Sequence, residues 1–403
     1  MPRAVHLVHG ARTPLCEYEG SKTGEGKPGG ALGGVTAIGL AVLASKEALS
    51  RSGAPPEAID HVVFGNVMQT SADAIYGARH VALKAGIPVP VPALTVNRLC
   101  GSGIQAVISG AQEILLGEAR CVLAGGTENM SQAPHVVRGA RRGFKLGQGT
   151  LEDSLLVALL DSHCGLYMAQ TAERLARKYG ISRAEQDAYA LRSHRAAQRA
   201  RESGVFAEEI VPVEVSAGRG TVLVEQDDHV RIGTDMDQLA KLPTAFSQDG
   251  SVTAGNASGI VDGAAALVVA SEEVLRTLGR EPLARVAAWA VVGVEPAEMG
   301  IGPAPAIRKL LAKAGLGLGD VDLFEINEAF AAQYLAVEKE LGLDRDKVNV
   351  NGGAIALGHP LGATGARLLL TLALEMKRRG AHRGVASACI GGGQGIAMLL
   401  ERA

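Results

Sequence analysis

Short apolar, β-branched runs punctuate the chain: Ala4-Val5-His6-Leu7-Val8, His61-Val62-Val63-Phe64 and Cys121-Val122-Leu123-Ala124. Between them lie long Ala/Leu-rich stretches in which apolar positions recur with helical period, as from Thr36 to Ser50. This alternation predicts an α/β protein. Strands that read as continuously apolar need helices on both faces, so the sheets are expected to be central layers.

The pattern repeats within the chain. Ala48-Leu49 leads through Gly53 to Ile59-Asp60 and an apolar run, and Leu310-Leu311 leads through Gly315 to Val321-Asp322 and another, with a Gly-to-Asp spacing of seven in both. Further on, Thr95-Val96-Asn97 precedes a Cys-Gly-Ser-Gly turn, and Asn349-Val350-Asn351 precedes a glycine-rich segment around His359. The common order predicts two related halves. A more charged region, 130–259, separates them. It carries a basic stretch (Arg138, Arg141, Arg142, Lys145) and an amphipathic helical stretch from Thr171 to Arg201, and it reads as an insertion.

The 403 residues allow two or three domains. With 47% hydrophobic and 20% charged residues the chain is neither disordered nor fibrous. Lys plus Arg number 40 against 42 acidic residues, so no global field draws nucleic acid or an anionic membrane, and an anionic ligand must be met by a local patch. Aromatics are only 3%, too few for base-stacking platforms. The five cysteines (Cys16, Cys100, Cys121, Cys164, Cys389) are odd in number, with no Cys-x-x-Cys pair, which disfavours a disulfide framework and a zinc cluster. No apolar leader core and no uninterrupted apolar run of membrane-spanning length occurs, so a soluble protein of a reducing compartment is expected.

Four segments hold candidate chemistry. In Asn97-Arg98-Leu99-Cys100-Gly101-Ser102-Gly103, a strand-turn-helix would place Cys100 at a helix N-terminus, where free N–H groups and the dipole favour a thiolate. A lone cysteine is otherwise a small core residue. Cys389-Ile390-Gly391-Gly392-Gly393-Gln394-Gly395 is not expected to be a dinucleotide loop, because the eight residues after Gly395 are too few for a βαβ unit. Its glycines instead let backbone N–H groups approach a ligand beside Cys389. His359 sits in a glycine-crowded turn ahead of an apolar helix from Arg367 to Met376, and an imidazole there can take a proton from a thiol and return it. In Glu325-Ile326-Asn327-Glu328-Ala329-Phe330, at a predicted strand end, Asn327 could donate to an oxyanion, hold a water, or cap the next helix.

With these segments placed, the chain resembles the thiolase family over essentially its whole length. The ordered set Cys-Gly-Ser-Gly, Asn-Glu-Ala-Phe, Gly-His-Pro and Cys-Ile-Gly-Gly-Gly-Gln-Gly carries the resemblance, supported by Gly125–Ser131 and Val252–Gly259. It implies a five-layered αβαβα fold of two similar halves related by a pseudo-dyad plus an inserted loop domain. The boundaries are 1–129 with 260–282 for the N-terminal half, 130–259 for the insertion, and 283–403 for the C-terminal half. It implies an acetyl-CoA C-acyltransferase in which Cys100 carries the acyl group, His359 activates it, and Cys389 moves the α-proton. Asn327, through a water, and His359 would stabilise the enolate, while the N–H groups of Cys100 and Gly391 would hold the thioester oxygen. No metal or cofactor is implied; coenzyme A is substrate and product.

By the same resemblance Arg231, Ser258 and Tyr167 would touch coenzyme A, and Met168, Met299, Ala329 and Phe330 would line the substrate pocket. The chain has Leu166-Tyr167-Met168-Ala169 where short-chain biosynthetic members show Tyr-His-Met-Gly, so Tyr167 replaces a histidine at the CoA. Gln132-Ala133-Pro134 and Leu151–Leu155 look more like mitochondrial-type 3-ketoacyl-CoA thiolases. Acetoacetyl-CoA with tolerance for longer chains is the expected substrate, a longer-chain β-oxidation thiolase the alternative. The family implies a dimer or tetramer, with apolar residues after Met130 as the tetramer contact, and a cytoplasmic location or, in a eukaryote, the mitochondrial matrix. A ketoacyl-synthase-type condensing enzyme is disfavoured by the intact Cys389 segment, and a non-catalytic acyl-CoA-binding relative would have lost a catalytic position. Cys16, Cys121, Cys164 and His163 read as structural, and 20–34 as a flexible loop without an assigned role.

Overall fold

The computed structural model describes residues 4–218 and 220–403. Among the described residues ten strands form one sheet, nine of them in a continuous path: β1 (Val5–Arg12), β2 (His61–Gly65), β3 (Ala93–Val96), β4 (Cys121–Glu128), β5 (Val261–Ser271), β6 (Ala284–Gly293), β7 (Leu323–Ile326), β8 (Arg383–Ile390) and β9 (Gln394–Glu401), while the two-residue strand Cys16–Glu17 pairs with β5 off this path. The principal helices are α1 (Ala37–Ser52), α2 (Gly77–Lys84), α3 (Ser102–Leu116), α4 (Met168–Lys178), α5 (Arg183–Glu202), α6 (Pro303–Ala314), α7 (Ala331–Leu341) and α8 (Leu361–Arg379).

The strand order is β7-β8-β9-β6-β1-β5-β4-β2-β3. At its centre β1 meets β6 antiparallel, through His6 opposite Arg285 and Leu7 opposite Ala284. Outward from this seam both sides repeat one scheme: two antiparallel pairings and then a parallel one. Where the first half adds β3 parallel to β2, the second has only a parallel bridge between Phe324 and Val348.

The repeated Gly-to-Asp spacing now has a physical basis. Gly53 and Gly315 terminate α1 and α6 in the left-handed conformation, at φ 71° and 69°. Seven residues on, Asp60 Oδ2 accepts the N–H groups of Arg120 and Cys121 at the start of β4, at 2.7 and 3.1 Å. Asp322 Oδ2 accepts those of His382 and Arg383 at the start of β8, at 2.8 and 2.9 Å. Each aspartate thereby sets the register of the neighbouring strand.

Side chains alternate across each strand, so each half-sheet is apolar on both faces. Val62 and Phe64 pack outward with Ile38, Leu40 and Ala44 of α1, whereas Val63 points inward to Ile104 and Val107 of α3. In the second half Phe324, Ile326 and Val385 face α6 and α7, and Ala386, Ala388 and Met398 face inward. The inner faces of both halves close on α3 and α8, whose first sixteen residues, Leu361 to Met376, are all buried. The result is the expected αβαβα stack. The helices can lie this close because Gly103 and Gly365 face each other: a Cβ on Gly103 would stand 2.3 Å from the Ala366 nitrogen, and one on Gly365 would stand 2.3 Å from that of Ile104. The Leu99–Leu116 stretch, apolar enough by composition to cross a bilayer, is this central helix.

Residues 130–259 add no strand to the main sheet. The helical stretch expected from Thr171 to Arg201 is two helices, α4 and α5, separated at Gly180 (φ 59°). Ser182 and Glu185 start the second with a reciprocal capping box. The terminal apolar helix begins earlier than Arg367, at Leu361, directly behind His359. Among the described residues no cluster of three or more His, Cys, Asp or Glu has the form of a metal site.

Candidate active site

Cys100 ends a tight turn between β3 and α3. Leu99 takes φ 45°, its N–H held by Asn97 Oδ1 at 2.9 Å. Ser102 Oγ accepts the Arg98 N–H at 2.9 Å and donates to the Leu99 carbonyl at 2.6 Å. The serine of the Cys-Gly-Ser-Gly segment is thus a turn-closing residue, and the turn aims Cys100 into a cavity of about 300 Å³.

His359 faces the same cavity from the start of α8. Its backbone N–H donates to the Gly259 carbonyl at 2.9 Å. Thr364 Oγ1, one turn into the helix, lies 2.6 Å from His359 Nδ1 and 3.0 Å from the Pro360 carbonyl. The Asn327 amide N–H, which can only donate, makes Nε2 an acceptor and so puts the proton on Nδ1, where Thr364 Oγ1 accepts it. Asn327 Nδ2 donates to that Nε2 at 3.3 Å, which leaves the buried Asn327 Oδ1 without a protein partner. Asn327 does not cap a helix; it directly follows β7, its N–H held by the Ser387 carbonyl at 2.9 Å.

Charge distribution corrects one expectation. The Gly391 N–H and the backbone of Cys100 favour a thiolate at Cys100, but burial outweighs them and pushes the thiol up to about 11. Burial, aided by the nearby Arg367 guanidinium, holds His359 down at about 3. The resting pair is a neutral thiol and a neutral imidazole whose Nε2 lone pair accepts from the Asn327 amide, not a preformed thiolate.

Cys389, at the end of β8, is fully buried and packs with Met299 and Ala329, bordered by Met168 and Phe330. Burial first, and then the proximity of Cys100, raise its thiol well above the ordinary value. The two sulfurs, 289 positions apart in sequence, are electrostatic neighbours. Cys100, Met168, Met299, Ala329 and Phe330 line the cavity directly, and Cys389 packs against the last four.

Tyr167, Arg231 and Ser258 line the cavity as well. Tyr167 stands against Phe246, ring centroids 5.7 Å apart. Ser258 is fixed by its N–H to the Ala329 carbonyl at 3.0 Å. The half-buried Arg231 makes no ion pair with a described residue, so its charge is open to a ligand.

Several supporting residues were not singled out from the sequence. Glu128, the acidic residue of Gly125–Ser131, accepts from Asn66 Nδ2 and the N–H groups of Val67, Met68 and Gly362 at 2.9–3.1 Å, tying β4 to the start of α8. Burial lifts its carboxyl to about 7. Glu328 accepts from Tyr189 Oη and Ser193 Oγ, both at 2.7 Å, and from Asn349 Nδ2 at 2.9 Å, binding the inserted region to the loop that leads to His359. Arg98 and Gln394 join the two glycine-rich loops. Buried carboxylates next to motif residues were the available signal; their partners are distant in sequence and were not.

Fold and site together define a two-halved αβαβα protein whose cavity joins a thiol and an imidazole. The thiolase N-terminal domain matches residues 6–273 and the thiolase C-terminal domain residues 280–402. The chain belongs to the thiolase family. It is 52% identical over 400 residues, 99% of this chain and 98% of the relative, to mitochondrial 3-ketoacyl-CoA thiolase of Homo sapiens. It is 48% identical over 392 residues, 97% of this chain and 100% of the relative, to acetyl-CoA acetyltransferase of Cupriavidus necator. The crystal structure of human mitochondrial 3-ketoacyl-CoA thiolase in complex with CoA superposes with a TM-score of 0.94 at 52% identity, covering 100% of this chain and 98% of the other.

Proposed function

We propose that this protein is an acetyl-CoA C-acyltransferase that cleaves 3-ketoacyl-CoA with coenzyme A and, in reverse, condenses acyl-CoA with acetyl-CoA. The carrying observation is the His359 tautomer: Asn327 and Thr364 hold the proton on Nδ1, so Nε2 is a base facing the cavity of Cys100.

In cleavage, Nε2 accepts the Cys100 proton and the sulfur adds to the 3-keto carbon. The carbon–carbon bond between C2 and C3 then breaks, leaving an acyl thioester on Cys100 and the enolate of acetyl-CoA. Cys389 gives that enolate carbon a proton. The buried, high-lying Cys389 thiol suits a weakly acidic carbon better than an activated one would. The imidazolium and a water on the unpartnered Asn327 Oδ1 would face the enolate oxygen. The N–H groups of Cys100 and Gly391 would face the thioester oxygen. Coenzyme A then passes its thiol proton to the Cys389 thiolate, its sulfur displaces the acyl group from Cys100, and the His359 imidazolium returns its proton to the departing Cys100 sulfur, restoring the enzyme.

Arg231, Ser258 and Tyr167 would hold coenzyme A, the unpaired guanidinium supplying local positive charge to a chain with a net charge of -2. The scheme balances with these side chains and coenzyme A alone. An apolar wall of Met130, Leu361 and Ile260 beside Cys100 favours chains longer than acetoacetyl as additional substrates. Incubation with acetoacetyl-CoA and CoA, following loss of the enolate absorbance, tests the reading; no turnover by folded protein removes it.

A homo-oligomer is part of the proposal. The edge strand β3 exposes Leu94 near the exposed Ile75, Tyr76 and Val89, and Phe144, Leu146 and Leu151 are exposed in the inserted region. A single-chain mass in light scattering would contradict it. A reducing compartment, cytoplasm or mitochondrial matrix, suits a catalytic cysteine pair kept as free thiols.

A further inference from the structure

We propose that Glu17 and His229 form a second polar site in the active cavity, one that takes a hydroxyl group carried on the substrate's acyl chain; this rests on the thiolase reading above. Both residues line the cavity that holds Cys100 and His359, and both are buried, with 2% and 4% of their surface exposed. His229 Nδ1 hydrogen-bonds Glu17 Oε1, and Ser21 Oγ donates to Glu17 Oε2 at 3.0 Å. With Nδ1 engaged, His229 Nε2 has no partner among the described residues.

The surrounding segments hold this pair in place. Glu17 lies on a two-residue strand paired to Val261, and its N–H donates to Asp228 Oδ1 at 2.7 Å. The glycine-rich segment 20–34 folds over the other side. The Gly24 N–H reaches the Asp228 carbonyl at 2.7 Å, and a Cβ on Gly24 would stand 2.1 Å from the Val230 oxygen, so the two backbones touch only because residue 24 is glycine. Gly259 leaves room for the ring: a Cβ there would come within 2.6 Å of it. Tyr18, next to Glu17, belongs to the apolar cluster that includes Cys100, Met130 and Leu361, which places the dyad beside the acyl wall.

The ligand class follows from what Nε2 lacks. An aliphatic chain lying on it would desolvate a polar atom without replacing its hydrogen bond. A terminal carboxylate would meet the Glu17 charge behind the ring. A hydroxyl fits either protonation state, donating to a neutral Nε2 or accepting from a protonated one. The pantetheine arm of coenzyme A also carries a hydroxyl, so the test separates the two sources.

Thiolysis of 3-keto-6-hydroxyhexanoyl-CoA and 3-ketohexanoyl-CoA is compared in the wild type and in His229→Phe. The expected wild-type kcat/KM is about tenfold higher for the hydroxylated substrate, the worth of roughly one net hydrogen bond, and the ratio falls to near unity in the variant. Removing the imidazole strands Glu17, so the double variant Glu17→Leu/His229→Phe serves if the single one does not fold. A wild-type ratio near unity overturns the proposal. Equal losses on both substrates assign the dyad to the pantetheine hydroxyl and overturn the acyl assignment. Absence of thiolysis with either substrate or with acetoacetyl-CoA instead removes the enzyme reading and this inference with it.

Discussion

Arg98 Nη1 donates to Gln394 Oε1 at 2.9 Å, joining the turn that carries Cys100 to the loop that carries Gly391. The same guanidinium donates through Nε to Gln105 Oε1 at 2.8 Å, one turn into α3. The two N–H groups proposed to bind the thioester oxygen come from opposite halves of the molecule, and this clamp holds their spacing.

Removing the clamp is therefore expected to impair the chemical step more than binding. Arg98→Met and Gln394→Leu should each lower kcat by about tenfold or more with little change in KM, since small misplacements of oriented groups are costly. The double variant should be little worse than either single one. Steady-state kinetics on acetoacetyl-CoA checks this, and a pure KM effect would refute it.

Thr364 accepts the proton that His359 carries on Nδ1. Thr364→Val leaves Nδ1 without an acceptor and should reduce kcat by about 10- to 100-fold, the usual range for a residue that orients a catalytic or metal-bound histidine. Thr364→Ser should restore most of it. Equal activity in the valine variant would show that the tautomer is fixed elsewhere.

The two cysteines should separate on intact-mass analysis with acetyl-CoA. Cys100→Ser should form no acyl adduct and turn over no substrate. Cys389→Ser should still accumulate an acyl adduct on Cys100 while losing cleavage by at least 100-fold, because the loss of one proton-transfer group typically costs that much.

Acid should weaken the fold through His359. Its folded value of about 3 lies below the ordinary 6.5, so below pH 6.5 the unfolded chain takes a proton that the folded one refuses. The stability present above that pH is lost as pH falls toward 3, with a slope of about 1.4 kcal/mol per pH unit for this group. His359→Asn should show a correspondingly shallower acid arm in urea titrations. Identical slopes would mean that the buried imidazole is protonated as readily as a free one.

Gly103→Ala should destabilise the protein by roughly 1–3 kcal/mol, as overpacking in a core does, because its Cβ would overlap the backbone of α8. A thermal melt reads this out, and an unchanged midpoint would show that the helices can separate freely.

The linear chain determined a great deal on its own. Periodicity is a local property, so the apolar runs and the Ala/Leu-rich stretches marked strands and helices, and the Gly53–Asp60 and Gly315–Asp322 spacings marked the repeat that Asp60 and Asp322 enforce as register locks. The residue types around Cys100, His359, Asn327 and Cys389 were legible because their chemistry and glycine-rich settings are written in consecutive positions. The helix break at Gly180 was missed because two helices of similar polarity look continuous. Tertiary structure decided what depends on atoms distant along the chain. Only the fold shows that Asn327 and Thr364 fix the His359 tautomer, that burial outweighs the N–H donors at Cys100, that Arg98 reaches Gln394, and that segment 20–34 braces Glu17 against His229. Dielectric environment and hydrogen-bond partnership belong to the packed molecule, and no window of neighbouring residues contains them.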